Sequence, residues 1–200
     1  LTIGQGMKWL KNNNEKMKVN RKHIVIDVES DGPIPGPYSM VCFGVVIVTP
    51  DVLTNPEKVI TFYGQTCPIS IIWRPDSLAI SGFSRKEHEK FAKPEDTMKD
   101  FVSWLKINCP DGATMWSDNP AYDWQFINYY LHTYTGGNPL GRSARRIGDL
   151  YCGFYNDPYY PWKRFRDNKN FPHNHNPVSD SCGNASALVH LINQGFKLEL

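Results

Sequence analysis

The sequence has no long hydrophobic run. The longest, Met40–Val48, is about a strand in length and far short of the ~20 apolar residues a membrane helix needs. The first twenty residues hold no apolar stretch that would serve as the h-region of a signal peptide. Cysteine is sparse and unpatterned: Cys42, Cys67, Cys109, Cys152 and Cys182 are odd in number, widely spaced and never in a CxxC pair. That argues against a disulfide framework and a four-cysteine zinc site, so reduced thiols in a cytoplasmic protein are expected, with no membrane partner. Excess charge is lacking too, since 22 Lys and Arg stand against 20 Asp and Glu. A polybasic protein is excluded. Repeats and low-complexity tracts are absent. Leu1 is not an initiator residue, and residues 1–20 read as an N-terminal extension or tag-like segment, with residues 21–200 as the folded domain.

What is present suits one globular domain. The chain of 200 residues is 40% hydrophobic and 13% aromatic, enough to bury a core. The net charge of +2 hides an uneven distribution, because residues 1–22 carry +5 and residues 142–170 carry +4, leaving −7 for the rest. An acidic body beside basic stretches suits a metal-dependent enzyme with an anionic substrate, though chance produces it as well.

Punctuation and periodicity outline an α/β domain with a mixed sheet. Strands are expected at His23–Glu29, Ser39–Thr49 and Lys58–Gln65, the first two parted by Asp31-Gly32-Pro33 and Pro35-Gly36-Pro37. Helices are expected at Ser84–Phe91 and Glu95–Asn108, the latter with Met98, Phe101, Val102 and Leu105 at helical spacing. A strand at Ala113–Ser117, a helix from Pro120 to about Thr133, a last strand at Arg145–Asp149 and a helix at Val178–Gln194 complete the outline.

Four carboxylates stand where apolar residues belong. On the first strand Ile24, Ile26 and Val28 share one face, and Val25, Asp27 and Glu29 share the other. Asp123 falls on the stripe of Ile127, Tyr130 and Leu131, and Asp180 on that of Asn184, Ala187, Leu188 and Leu191. A strand end running into its loop would explain the first pair, and a helix-start role either of the others. Taken together, buried like charges would protonate unless a cation joined them. An all-oxygen set favours Mg²⁺ or Mn²⁺ over zinc, and two such ions suit phosphodiester hydrolysis. His175, in PHNHNPVSD five residues before Asp180, is placed to take a proton from an attacking water, unless it is only an exposed loop histidine. His173 competes for that role, and a zinc site from His173, His175 and Asp180 is a further alternative.

Asp27-Val28-Glu29, then Asp118-Asn119-Pro120-Ala121-Tyr122-Asp123, then His175 and Asp180 resemble the three motifs of the DEDDh 3′→5′ exonucleases: DxE, N-x-x-[FY]-D and H-x₄-D, in that order. Pro75–Gly82 is similar to the family's segment between the third strand and the next helix. The resemblance spans about residues 23–194. The neighbourhood DVESDGPIPGPYSMVCFG looks most like compact bacterial or phage domains described as exoribonucleases.

The resemblance implies an RNase H-like mixed β-sheet flanked by α-helices. It further implies hydrolysis of single-stranded RNA or DNA, or of short oligonucleotides, from the 3′ end with release of 5′-monophosphates. Asp27, Glu29, Asp123 and Asp180 would hold two metal ions, His175 would be the general base, and Asn119 would touch the nucleic acid. Ser179, Ser181 and Cys182 depart from many relatives around the last motif. Two other functions fit the same residues: a catalytically silent nucleic-acid-binding module of this fold, or a divalent-cation phosphatase on small phosphate esters.

Tyr151–Asn170 interleaves seven aromatic residues with Lys163, Arg164, Arg166 and Lys169. Aromatic faces and cations together hold single strands, so Lys163, Arg164 and Arg166 are expected to contact substrate phosphate. The alternative is a loop packed on the core with its bases as a solvated rim. Pro158 and Pro161 argue against a long helix there.

Overall fold

The computed structural model describes residues 21–200; the extension expected at residues 1–20 lies outside them. Three strands, β1 (Lys22–Ser30), β2 (Met40–Ile47) and β3 (Thr61–Gln65), form an antiparallel meander. Helix α1 (Asp51–Thr54) and a 3-10 turn at Pro56–Lys58 lie between β2 and β3. Helices α2 (Pro75–Ile80), α3 (Arg85–His88) and α4 (Pro94–Asn108) follow, then β4 (Ala113–Ser117) and α5 (Pro120–Thr135). The chain ends through β5 (Arg145–Arg146), α6 (Ile147–Tyr155), a 3-10 turn at Trp162–Phe165, and α7 (Pro177–Asn193). The sheet order is β3-β2-β1-β4-β5, with β4 parallel to both β1 and β5. It is the expected mixed sheet flanked by helices.

The alternation in β1 divides the core. Ile24, Ile26 and Val28 pack with Met98, Phe101 and Leu105 of α4 and with Phe126, Ile127 and Tyr130 of α5. Val25, on the opposite face, packs with Trp116, with Ile147 and Tyr151 of α6, and with Ala185 and Leu188 of α7. Asp27 and Glu29, on the Val25 face, therefore point toward the layer that contains α7.

Several boundaries shift by a few residues, and one element changes type. The strand expected at Arg145–Asp149 pairs only through Arg145 and Arg146; from Ile147 the chain is helical. The cause is tertiary: Ile147, Gly148 and Tyr151 bury one helical face against α7 and Trp162, which short-range pattern does not reveal. Helices α1 and α2 carry no signal in the sequence either. Each is no more than six residues long, too short for periodicity to show. The segment after α6 is broken as its prolines require. No helix among the described residues is long and apolar enough to cross a membrane.

Gly44 fixes how closely α7 approaches the sheet. It lies opposite Asp27 in the β1–β2 register, and the Ser181 hydroxyl donates to its carbonyl at 3.0 Å. A Cβ at this position would lie 2.2–2.3 Å from the backbone of Pro177 and Val178. Gly44→Ala must therefore push the start of α7 off β2. The expected cost is on the order of 1–3 kcal/mol by urea denaturation, with a loss of activity as Asp180 moves away from Asp27. An unchanged unfolding midpoint would show that α7 yields freely at this contact.

Candidate active site

The parallel ladder between β1 and β4 ends at the Val25–Trp116 pair, and the strands then separate. Such an opening at the carboxyl ends of strands is where α/β sheets bind ligands. Beyond it the Val28 N–H has no strand partner on this side and donates to Asp123 Oδ1 at 3.1 Å. The Ser117 hydroxyl donates to the other Asp123 oxygen. The third acid is thus built into the gap between strands.

Two helices deliver acids to this opening by the same local device. Helix α5 opens Asn119-Pro120-Ala121-Tyr122-Asp123 and α7 opens Asn176-Pro177-Val178-Ser179-Asp180. In each, proline occupies the first helical position, where its missing N–H costs nothing. Each aspartate then falls at the end of the first turn on the buried side. The Asn176 side chain caps α7 by accepting from the Val178 and Ser179 N–H groups, both at 3.1 Å. Asn119 makes no such cap and is exposed.

Carboxylate oxygens of Asp27, Glu29 and Asp180 lie within 4.8 Å of one another. Asp123 and Asp180 are almost wholly buried, Glu29 nearly so, and Asp27 keeps some contact with solvent. Burial pushes the Asp27 carboxyl well above its ordinary range, and the charges of Asp123, Glu29 and Asp180 push it further. Glu29 is raised to about 7, by burial first and by Asp180 second. Asp123 is raised to about 7, by burial against the opposing hydrogen bonds from Ser117 and Val28. This all-oxygen donor set, whose acids outnumber the one buried cation beside them, Arg166, fits hard divalent cations.

The loop before α7 places both histidines beside the acids. His175 has a left-handed backbone (φ 60°), uncommon for a residue with a side chain, and its N–H donates to Asp180 Oδ2 at 3.0 Å. Its Nδ1 lies 3.4 Å from Glu29 Oε1, while its half-exposed ring reaches the cleft mouth. His173 Nδ1 is 2.7 Å from Asp180 Oδ1. The two rings sit 4.9 Å apart, so both residues singled out in the loop meet the fourth acid.

The basic segment divides. Lys163 is exposed and pairs with Asp118, at the entrance to α5. Arg164 is exposed, lies over the Phe165 and Tyr160 rings at 4.8 and 5.2 Å, and donates to the Tyr160 hydroxyl. Arg166 departs from the solvent-facing phosphate contact expected of it. It is buried and paired with Asp180 Oδ1 at 3.0 Å, because the turn at Trp162–Phe165 directs it inward over α7. Nothing local in the sequence signals that partner, which is fourteen residues away. Most aromatics of the segment also turn inward: Tyr151 and Trp162 are buried, and the Tyr155 and Tyr160 rings stack at 4.0 Å. Tyr159 and Phe154 remain exposed.

No protein-family model matches the chain. The 3′-5′ DNA exonuclease Cap18 of Escherichia coli is 35% identical over 133 residues, covering 65% of this chain and 67% of the relative. Among solved structures, the nuclease domain of 3′hExo, a DEDDh family member bound to rAMP, superposes with a TM-score of 0.69 at 17% identity. That match covers 90% of this chain and 96% of the domain. E. coli exonuclease I in complex with a dA16 oligonucleotide superposes at 0.64 with 12% identity, over 87% of this chain and 41% of that one. The five-stranded mixed sheet is the RNase H-like fold of these exonucleases.

The raised carboxyls set a pH dependence for the metal-free protein. An acid whose folded pKa exceeds its unfolded value holds its proton better when folded. Its stabilising share is complete below the unfolded pKa and is lost as the pH rises through the folded one. For Glu29 the window runs from 4.5 to about 7, with a loss on the order of 3 kcal/mol. In EDTA, the melting temperature should fall across that window, and Mn²⁺ should raise it most at the alkaline end. A pH-independent melting temperature in EDTA would show that burial and the neighbouring Asp180 do not hold Glu29 above its ordinary range.

Proposed function

Because the chain belongs to the DEDDh 3′→5′ exonucleases, which are metal-dependent phosphodiester hydrolases, we propose that it shortens single-stranded DNA from the 3′ end and releases 5′-monophosphates. The observation that carries this reading is the meeting of Asp27, Glu29 and Asp180 oxygens within 4.8 Å, with His175 Nδ1 3.4 Å from Glu29. DNA is chosen over RNA on the name of the 35% identical relative. All five cysteines are unpaired thiols, which supports a reducing compartment such as the cytoplasm.

Asp27, Glu29, Asp123 and Asp180 would hold two Mg²⁺ or Mn²⁺ ions. When bound, these supply the positive charge that stabilises the attacked phosphate and its leaving oxygen. The protein's own work is positional. His175 takes a proton from the water that attacks phosphorus, its loop held by the Asp180 carboxylate. The P–O3′ bond breaks with its electron pair going to O3′, which takes a proton from solvent, so the terminal nucleotide keeps its 5′-phosphate and the shortened strand regains a 3′-hydroxyl. Lys163 sits at the entrance to α5, where a phosphate chain would displace it from Asp118; Arg164, exposed on the same turn, and Asn119, exposed at the start of α5, are the further contacts of this reading.

Digestion of matched 3′-labelled DNA and RNA oligonucleotides, single- and double-stranded, with Mg²⁺ or Mn²⁺ and then EDTA, tests the whole reading. Mononucleotide release from single-stranded DNA should be fastest and should stop with EDTA; faster release from RNA would reassign the substrate. Alanine at Asp27, Glu29, Asp123 or Asp180 should nearly abolish release in a folded protein. His175→Ala should slow it by on the order of 10²–10⁴. If His173→Ala shows that loss instead, the base is His173. Removing Lys163 and Arg164 together should weaken strand binding and flatten its salt dependence while sparing turnover at saturation; an unchanged salt slope would remove both from the substrate path.

A further inference from the structure

Arg166 is the one base of the Tyr151–Asn170 segment that does not face solvent. Its side chain, 4% exposed, passes over α7 at Gly183 and ends on Asp180, with Nη2 3.0 Å from Oδ1 and 3.4 Å from the main-chain carbonyl. Gly183 is what admits it: a Cβ there would lie 2.8 Å from Nη2 and 2.9 Å from Nε. The Nε has no hydrogen-bond partner. A buried ion pair with an idle donor is, taken whole, a poor stabilising device, since replacing both partners by apolar side chains of similar volume often serves stability as well or better. Its presence is accounted for by what it holds.

What it holds is the carboxylate on which the last motif turns. Asp180 Oδ1 also meets His173 Nδ1, and Oδ2 accepts the His175 N–H. The carboxylate is therefore gripped by three groups, of which Arg166 alone carries a permanent charge. The same short turn sends Lys163 to Asp118, so it spans the entrances of both acid-bearing helices, α5 and α7.

We propose that Arg166 is a positioning residue for metal binding: it fixes the orientation of Asp180 and serves as its standing counter-charge, in competition with the cations for the same carboxylate. The inference rests on Asp180 being a metal ligand. Removing Arg166 should leave Asp180 more attractive to a cation and less well oriented for catalysis. Affinity for metal and turnover should then move in opposite directions, which a purely structural role would not produce.

The test uses R166M and R166K, melted in EDTA and in saturating Mn²⁺, with kcat and KM measured on a 3′-labelled single-stranded DNA oligonucleotide. R166M should melt lower in EDTA than the parent and gain more from Mn²⁺. Its kcat should fall about 10–100-fold with KM for the strand unchanged; R166K should recover part of kcat. A higher KM with kcat intact would make Arg166 a direct phosphate contact and overturn the proposal, as would an equal gain from Mn²⁺ in R166M and the parent. If R166M does not fold even with Mn²⁺, R166K and G183A, which displaces the guanidinium but keeps its charge, must each lower kcat without raising KM; otherwise the proposal fails. D180A isolates the premise. If it keeps turnover and the gain from Mn²⁺, the assignment of Asp180 as a ligand fails, whatever Arg166 does.

Discussion

Four carboxylates converging where β1 parts from β4 are the constraint on which the rest of the structure depends. Their burial raises Asp27, Glu29 and Asp123 above the ordinary carboxylate range, which is free energy held against ionisation. A fold adopts such an arrangement only if other interactions keep the acids in place. Here the compensating elements are identifiable: the Val28 N–H and Ser117 hydroxyl for Asp123, and Arg166, His173 and the His175 N–H for Asp180.

The scaffold concentrates its rigid features at this point. The two clusters of apolar residues lie on opposite faces of β1, so its strand position is set from both sides. Helix α7 rests on β2 at Gly44, and its buried face of Ala185, Ala187, Leu188 and Leu191 orients the first turn that bears Asp180. Asp123 is likewise on the buried side of α5, with Phe126, Ile127 and Tyr130 as its anchors. Packing sets the spacing of the charges.

Around this rigid centre the outer groups are more open to solvent. His173 and His175 are about half exposed, and Lys163 lies on the rim beside Asp118. Rim cations gain little from their local ion pairs, because water screens them. The Lys163–Asp118 pair is therefore one that a phosphate chain can replace at small cost. Buried Arg166 is the opposite case, since its partner cannot be exchanged for water.

Strands β1 to β4, the long helices α4, α5 and α7, and the placing of four acids on apolar stripes are legible in the sequence. The elements are legible because they follow short periods, two residues along a strand and three to four along a helix, whereas the interval between His175 and Asp180 stands out only by its likeness to a family motif. An acid on an apolar stripe breaks such a pattern, so it shows. Tertiary structure alone decided that Arg145–Asp149 is mostly helix, that the Tyr151–Phe165 aromatics pack inward, and that Arg166 belongs to Asp180 rather than to solvent. Each depends on what lies across a turn or beneath a side chain, as with the space left by Gly183. Residues far apart in the chain meet only when the core closes, and no local period records that meeting.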